Sequence, residues 1–214
     1  MGIKKSMYIT FYLLSQILIF YNLFISQFFN VNSYSQLPNS KIEQGTISNI
    51  EGIKWSNYTD KKDNFTTIYP NTWKIIEGKN NDSNQNGSIT IFRSPKENLN
   101  DTFQDNIVIS IIKTDKNTPD NNSIEIQTII KKLETKNKDF KLENFSVADI
   151  GNKQTGKSIK YGFENLGINF KTEQVFSTTN DKVYILSLLA EQKTFEKYSQ
   201  IFNHMLKNTT LKNN

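Results

Sequence analysis

Residues Ser6 to Ser40 carry no charge for 35 consecutive positions, and within them Tyr8 to Phe29 forms a 22-residue stretch dominated by Leu, Ile, Phe and Tyr. As a helix rising ~1.5 Å per residue, such a stretch is about 33 Å long, enough to cross the hydrocarbon core of a bilayer. A buried helix of a soluble protein normally keeps a polar face, and this segment shows no charge on any face. Lys4 and Lys5 precede it, so the positive-inside rule leaves the N-terminus in the cytoplasm and residues from about Asn30 onward outside. Either a cleaved signal peptide or a retained anchor gives that orientation. The stretch is longer than the ~7 to 15 residues of a usual signal h-region, which favours an anchor. Ser15, Gln16, Asn22, Ser26 and Gln27 interrupt it, however, and Ser33-Tyr34-Ser35 offers a small-x-small cleavage site. The chain thus divides into a signal peptide or anchor over 1–35, a polar linker over 36–52 and a folded domain over 53–210.

An outward-facing domain without cysteine excludes a disulfide framework, a thiol nucleophile, a zinc-thiolate site and a lipobox cysteine for lipid attachment. The net charge of +5 includes Lys4 and Lys5, which leaves the remainder near +3, with 24 basic against 21 acidic residues. Its longest basic runs are the pairs Lys61-Lys62 and Lys131-Lys132, read as solvated surface and not as a nucleic-acid footprint. Asn-x-Ser/Thr sequons begin at Asn57, Asn64, Asn81, Asn86, Asn100, Asn121, Asn144 and Asn208. They are compatible with export, and an Asn-rich composition alone generates many such triplets.

Apolar pairs separated by Asn, Asp, Gly and Pro clusters predict strands near Ile53 to Tyr58, Phe65 to Tyr69, Trp73 to Glu77 and Ser88 to Arg93. Ile107 to Ile112 and Val183 to Leu189 are apolar at odd and even positions alike, which predicts central strands covered on both faces. Ile159, Tyr161 and Phe163 alternate with polar neighbours, as a strand with one wet face does. Two helices are predicted. Over 122–137 the residues Ile126, Ile129, Ile130 and Leu133 fall at i, i+3, i+4 and i+7, with Asn122 as N-cap and Glu125 three residues on. Over 194–207 the stripe is Phe195, Tyr198, Phe202, Met205 and Leu206. Strands, a helix, four more strands and a helix do not alternate as a parallel doubly wound sheet requires. The expected fold is α+β, an α/β/α sandwich whose mostly antiparallel central sheet carries helices on both faces.

Gly151-Asn-Lys-Gln-Thr-Gly-Lys-Ser158 satisfies the spacing of a phosphate-cradling loop, which works because a following helix points its N-terminus at the phosphates. Here the period-two segment from Ile159 predicts a strand instead, and the only acid after Val183 to Ala190 in a magnesium-binding position is Glu191. The match is read as a chance one, with no nucleotide partner. His204 lies on the last helix without a nucleophile partner other than a serine. Glu97, Asp101 and Asp105 recur every four positions, which would line one face of a helix; a calcium site is one reading and solvated or capping carboxylates the other. Arg93, the single arginine, stands at a strand end, as a phosphate or carboxylate contact or as plain surface charge.

Trp55-x-x-Tyr58-Thr59-Asp60, Phe65 to Trp73 with its Tyr69-Pro70-x-x-Trp73 element, Ile89 to Pro95 ending in Ser94-Pro95, and Asp101-x-Phe103-x-x-Asn106 together resemble the opening half of a PsbP-like domain. The second half is similar in layout: a helix, Gly156 to Tyr161, a long hairpin, the Val183-Tyr-Ile-Leu run and an aromatic-rich last helix. The resemblance covers about 155 residues of the chain. It implies an α/β/α sandwich and a non-enzymatic role; no cofactor and no catalytic or metal-ligating residue is assigned. Photosynthetic members sit on the lumenal face of photosystem II, or act as assembly and accessory factors, and help retain calcium and chloride. This chain departs from them in Asn-rich insertions such as 80–86 and in its bare leader, both of which argue against direct photosystem duty. The motif positions Trp55, Tyr69, Pro70, Trp73, Arg93, Ser94 and Pro95 are expected to serve structure or an interface. The expected function is an extracytoplasmic, membrane-proximal binding or assembly module that docks on a membrane-associated protein. A carrier of a small apolar ligand, held between the sheet and a helix, is the alternative; an enzyme using the Gly151 to Ser158 loop is the remote one.

Overall fold

The structure, a computed structural model, describes residues 50–79, 87–99, 101, 103–113, 126–179 and 182–211. The leader, most of the linker, and Asn122 and Glu125 of the expected helix start lie outside these residues. Strands β1 (Trp55–Asp60) and β2 (Phe65–Pro70) form an antiparallel hairpin. Its turn is held by the Asp60 carboxylate, whose Oδ1 accepts the amides of Lys62 and Asp63 at 2.8 Å each. Asn64 closes the turn at φ 58°, a left-handed conformation that Asn tolerates better than most side chains. The remaining edge of β2 is filled by β10 (Thr210–Leu211), which completes a three-stranded sheet in the order β1-β2-β10.

A second sheet has seven strands. β3 (Lys74–Lys79), β4 (Gly87–Arg93), β5 (Asn106–Lys113), β6 (Lys138–Ile150), β7 (Gln154–Asn165), β8 (Ile168–Thr178) and β9 (Lys182–Glu191) align as β3-β4-β5-β9-β8-β7-β6. Every neighbouring pair is antiparallel. β5 and β9 lie side by side at its middle, as their two-sided apolar patterns require. Helix α1 (Ile126–Lys136) connects β5 to β6, and α2 (Phe195–Lys207) follows β9.

The alternation of side chains along the central strands sorts the core into two layers. Ile107, Ile109 and Ile111 of β5, with Tyr184, Leu186 and Leu188 of β9, share one apolar cluster with Phe195, Phe202 and Met205 of α2 and with Phe65 and Leu211 of the small sheet. Ile112, Val183 and Ile185, from the intervening positions, share the other with Ile129, Ile130 and Leu133 of α1 and with Ile159 and Tyr161 of β7. Each such side chain, when fully buried, adds roughly 1.5–3 kcal/mol of transfer free energy. The predicted stripes are buried in both helices, and α2 buries Ser199 and Ile201 besides.

Three features depart from the sequence reading. The early strands belong to two separate sheets, because Asn71 to Trp73 turn the chain between β2 and β3: the Trp73 amide donates to the Pro70 carbonyl at 2.9 Å. Trp73, expected to begin a strand, therefore sits in that turn with its ring buried. The two-residue β10 was not expected at all.

Candidate functional site

Of the seven motif positions, Trp55 and Trp73 pack on α2, Tyr69 packs on β4, and Arg93 and Ser94 stand at the end of β4. Trp55 opens β1 and places its ring 4.5 Å from that of His204, so the lone histidine is a packing residue on α2. Tyr69 lies 5.3 Å from Phe92 between ring centroids, and Trp73 meets Tyr198 edge-on at 5.7 Å. Pro70 is buried at the end of β2. Arg93 ends β4 half-buried, and that burial lowers the pKa of its guanidinium. Ser94 is buried; its amide donates to the Asp105 carbonyl at 2.9 Å, and its own carbonyl accepts the Gln104 side chain at 2.7 Å. Pro95 is exposed and turns the chain outward. Ser94-Pro95 thereby starts an irregular loop that returns to β5 at Asn106.

That loop builds a cleft of about 290 Å³ lined by Glu97, Asn98, Asp101, Phe103, Asp105, Glu191, Lys193 and Thr194. The three carboxylates that recur every four residues do meet here, although they stand on an irregular loop and not on a helix. Glu191 and Thr194 were not foreseen; the β5–β9 pairing, with Asn106 opposite Leu189, carries them to the same rim. The carboxylates are committed to the chain. Asp101 accepts the amides of Glu97 at 2.8 Å and Phe103 at 3.1 Å, and thus shapes the loop. Glu97 accepts Lys197 Nζ at 2.8 Å and the Tyr198 hydroxyl at 3.3 Å. Asp105 Oδ1 accepts the Glu191 amide at 2.9 Å and the Thr194 hydroxyl at 3.0 Å. Burial pushes the Asp105 pKa up to about 7, reinforced by the charges of Glu97 and Asp101 and opposed by those two hydrogen bonds. Glu191 in turn pairs with Lys193 at 2.7 Å. Among the described residues no group of three or more His, Asp or Glu is arranged to hold a metal ion, which fits carboxylates turned toward backbone amides and lysines.

A second, wider groove of about 460 Å³ runs between the end of β1 and strands β3 and β4, with Tyr58, Lys61, Glu77, Ser88, Ile89 and Thr90 on its walls. The Tyr58 hydroxyl donates to Glu77 at 2.8 Å, and its pKa is pushed up to about 12, chiefly by burial. Both hollows open at the rims of the sheets and not between a sheet and a helix.

The Gly151 to Ser158 segment is a hairpin. Gly151 to Lys153 form the turn between β6 and β7, with Asn152 and Lys153 at φ 62° and 60°, and Gln154 to Ser158 run straight into β7. No helix follows to supply a positive N-terminus for a phosphate. The two glycines answer to packing instead. A Cβ on Gly151 would lie 2.3 Å from the Thr209 carbonyl oxygen, and one on Gly156 2.6 Å from Val175 Cγ1.

The PsbP family model matches residues 54–210. The chain belongs to the PsbP family. Its PsbP domain is also similar to two solved structures. One is cyanobacterial PsbP (CyanoP) from Synechocystis sp. PCC 6803, at 14% identity and a TM-score of 0.51 over 78% of this chain and 98% of that one. The other is LpqN of Mycobacterium tuberculosis, a protein involved in cell envelope biogenesis, at 14% identity and a TM-score of 0.50 over 74% of this chain and 91% of that one. At such identities the likeness is one of fold, a PsbP-like arrangement of mostly antiparallel sheet. No curated protein matches the sequence.

Proposed function

We propose that this PsbP-domain protein is a non-catalytic binding or assembly module, exported and held near a membrane, that works by docking on a membrane-associated protein. The observation that carries the reading is how the ionisable groups of the 290 Å³ cleft are used. Catalysis needs an acid, base or nucleophile free to reach a reacting atom. Here Asp101 and Glu97 make structural hydrogen bonds or ion pairs, and one oxygen of Asp105 does the same. What the fold offers a partner is a stiff surface, an α/β/α sandwich with α2 over one sheet face and α1 over the other. The family membership supports an accessory role of this kind.

The uncharged stretch Tyr8 to Phe29, preceded by Lys4 and Lys5, supports delivery across a membrane; among the described residues no helix is long and apolar enough to cross one. The test is cross-linking of the full chain in intact cells, followed by membrane fractionation. A stoichiometric adduct with a membrane protein is the expected result. A domain that is free in the medium, or in the cytosol, with no adduct would overturn the reading.

A further inference from the structure

We propose that Asn57 and Asn144 are acceptors for N-linked glycosylation, each setting one oligosaccharide beside an open strand edge of one of the two sheets. The inference rests on the exported location argued above. Of the eight sequons, four fall where both the asparagine and the hydroxyl residue two positions on are described, at Asn57, Asn64, Asn144 and Asn208. A glycan is bulky and hydrated, and the folded chain accommodates it only where the asparagine amide stands clear of the protein.

The structure divides the four. Asn208 donates its side-chain amide to the His204 carbonyl at 2.9 Å, and the hydroxyl of its Thr210 accepts the Asn152 side chain at 3.1 Å. Asn64 is half-buried in the tight β1–β2 turn at φ 58°, followed by the fully buried Phe65. Asn57 and Thr59, by contrast, are both exposed on β1, pointing away from the core that Tyr58 packs against. Asn144 and Ser146 are both exposed on β6. Among the described residues, none of these four side chains makes a hydrogen bond.

The two free sequons also share a place in the fold. β1 is an outer strand of the three-stranded sheet, and β6 is an outer strand of the seven-stranded one. An outer strand presents unpaired backbone groups that invite another chain to add a strand, and exported proteins need a way to block that. On β6 the hazard is sharpened by Phe145 and Val147, which are 48% and 70% exposed. A sugar on Asn144, between the β6 bulge and Val147, stands where an incoming strand would lie.

The transfer requires a polyprenyl-phosphate-linked oligosaccharide from the membrane of the receiving compartment. The asparagine amide nitrogen attacks the anomeric carbon, the N-glycosidic bond forms, and the bond from that carbon to the lipid phosphate oxygen breaks. The amide gives up one proton and no electrons change hands.

The test uses the chain from Gln36 onward behind an added cleavable secretory leader in eukaryotic cells, because Tyr8 to Phe29 left in place behind that leader would stop transfer and hold the domain in the cytosol. Glycopeptide mass spectrometry of the secreted protein is expected to find sugar on Asn57 and Asn144 and bare peptides at Asn64 and Asn208. Asn57→Gln and Asn144→Gln should each remove one glycan, and Ser146→Ala should remove the one on Asn144 with the asparagine intact. Bare Asn57 or Asn144 in the secreted protein overturns the proposal, as does equal modification of Asn64 and Asn208. Export is scored separately, by fractionating cells that make the chain with its own N-terminus alone. If that chain stays in the cytosol while the secreted form carries sugar at Asn57 and Asn144, the acceptor assignment stands and the exported location falls.

Discussion

Asp105 sits 2% exposed at the junction of β5, β9 and the start of α2. Its raised pKa couples folding to pH, and the sign follows from which state holds the proton. Between the ordinary carboxylate range and about pH 7 the folded chain keeps a proton that the unfolded chain has lost. Stability should therefore fall as pH rises through about 7 and level off above it. A shift from 3.8 to about 7, at ~1.4 kcal/mol per unit, sets a ceiling of roughly 4 kcal/mol on this effect. Asp105→Asn keeps an oxygen to accept the Glu191 amide and the Thr194 hydroxyl but cannot ionise. Thermal melts of the variant should lose the decline between pH 5 and 8 that the parent shows; an unchanged slope would assign the titration elsewhere. Gly151 makes a second residue-level case. Gly151→Ala forces a methyl onto the Thr209 and Lys207 carbonyl oxygens, which are backbone atoms with little room to yield, and should cost at least 1–3 kcal/mol as overpacking does. Gly156, in the same phosphate-loop-like string, is hemmed in likewise, by Val175 Cγ1 and the Phe176 carbonyl oxygen. Neither glycine's role was readable from the string, since the neighbours that demand it are Thr209 and Val175. Glu97, Asp101 and Asp105 were visible as a set, but the four-residue spacing that drew notice belongs to a helix that is not there. Asp101 unites them by folding the loop onto its own amides.

At the scale of elements, legibility followed burial. β5 and β9 are apolar on both faces and α1 and α2 carry full stripes, so their periods survive in the sequence. β6 is buried on neither face for most of its length. Register irregularities between Lys138 and Lys141 and between Leu142 and Asn144 also interrupt its period of two, so it could be counted among the four strands after the first helix but not bounded. Glu191 and Thr194 of the cleft were invisible for a related reason: cross-strand pairing over the length of the domain brings them in, and nothing local encodes it. The exposed face of β6 gives a direct prediction. Val147 lies opposite Lys157 in the ladder, so Val147→Glu replaces an exposed apolar side chain with a cross-strand opposite-charge pair. Stability should change by no more than about 0.5 kcal/mol, while light scattering of the unglycosylated protein at high concentration should drop. An unchanged scattering curve would show that this strand is not where the chains meet.

The whole molecule depends on fastening a small sheet to a large one. Lys113 and Lys182 face each other across β5 and β9, an arrangement of like charges that is unfavourable in isolation. Asp63, at the tip of the β1–β2 hairpin, reaches over the pair. Its carboxylate lies 3.6 Å from Lys113 Nζ, and its backbone carbonyl accepts Lys182 Nζ at 3.1 Å and the Tyr184 hydroxyl at 3.3 Å. Lys182 and Asp63 are both almost fully buried. Asp63→Ala should remove the carboxylate beside Lys113 while keeping the backbone carbonyl that Lys182 and Tyr184 donate to, and cost about 1 kcal/mol, as the loss of a part-exposed ion pair does. Adding Lys113→Met should recover most of that loss. Additive costs in the two-residue cycle would show that the hairpin is not pinned in this way.

β10 joins the same two bodies from the other end of the chain. Its Leu211 is 3% exposed in the core, and it pairs with Phe65, far back along the chain. The small sheet has no third strand, and the layer beneath α2 has no Leu211, until residue 211 is free of the ribosome. Completion of this domain's fold is thereby postponed until residue 211 has been made. On the exported location proposed above, lateness of that kind would keep the chain threadable through a narrow translocation pore.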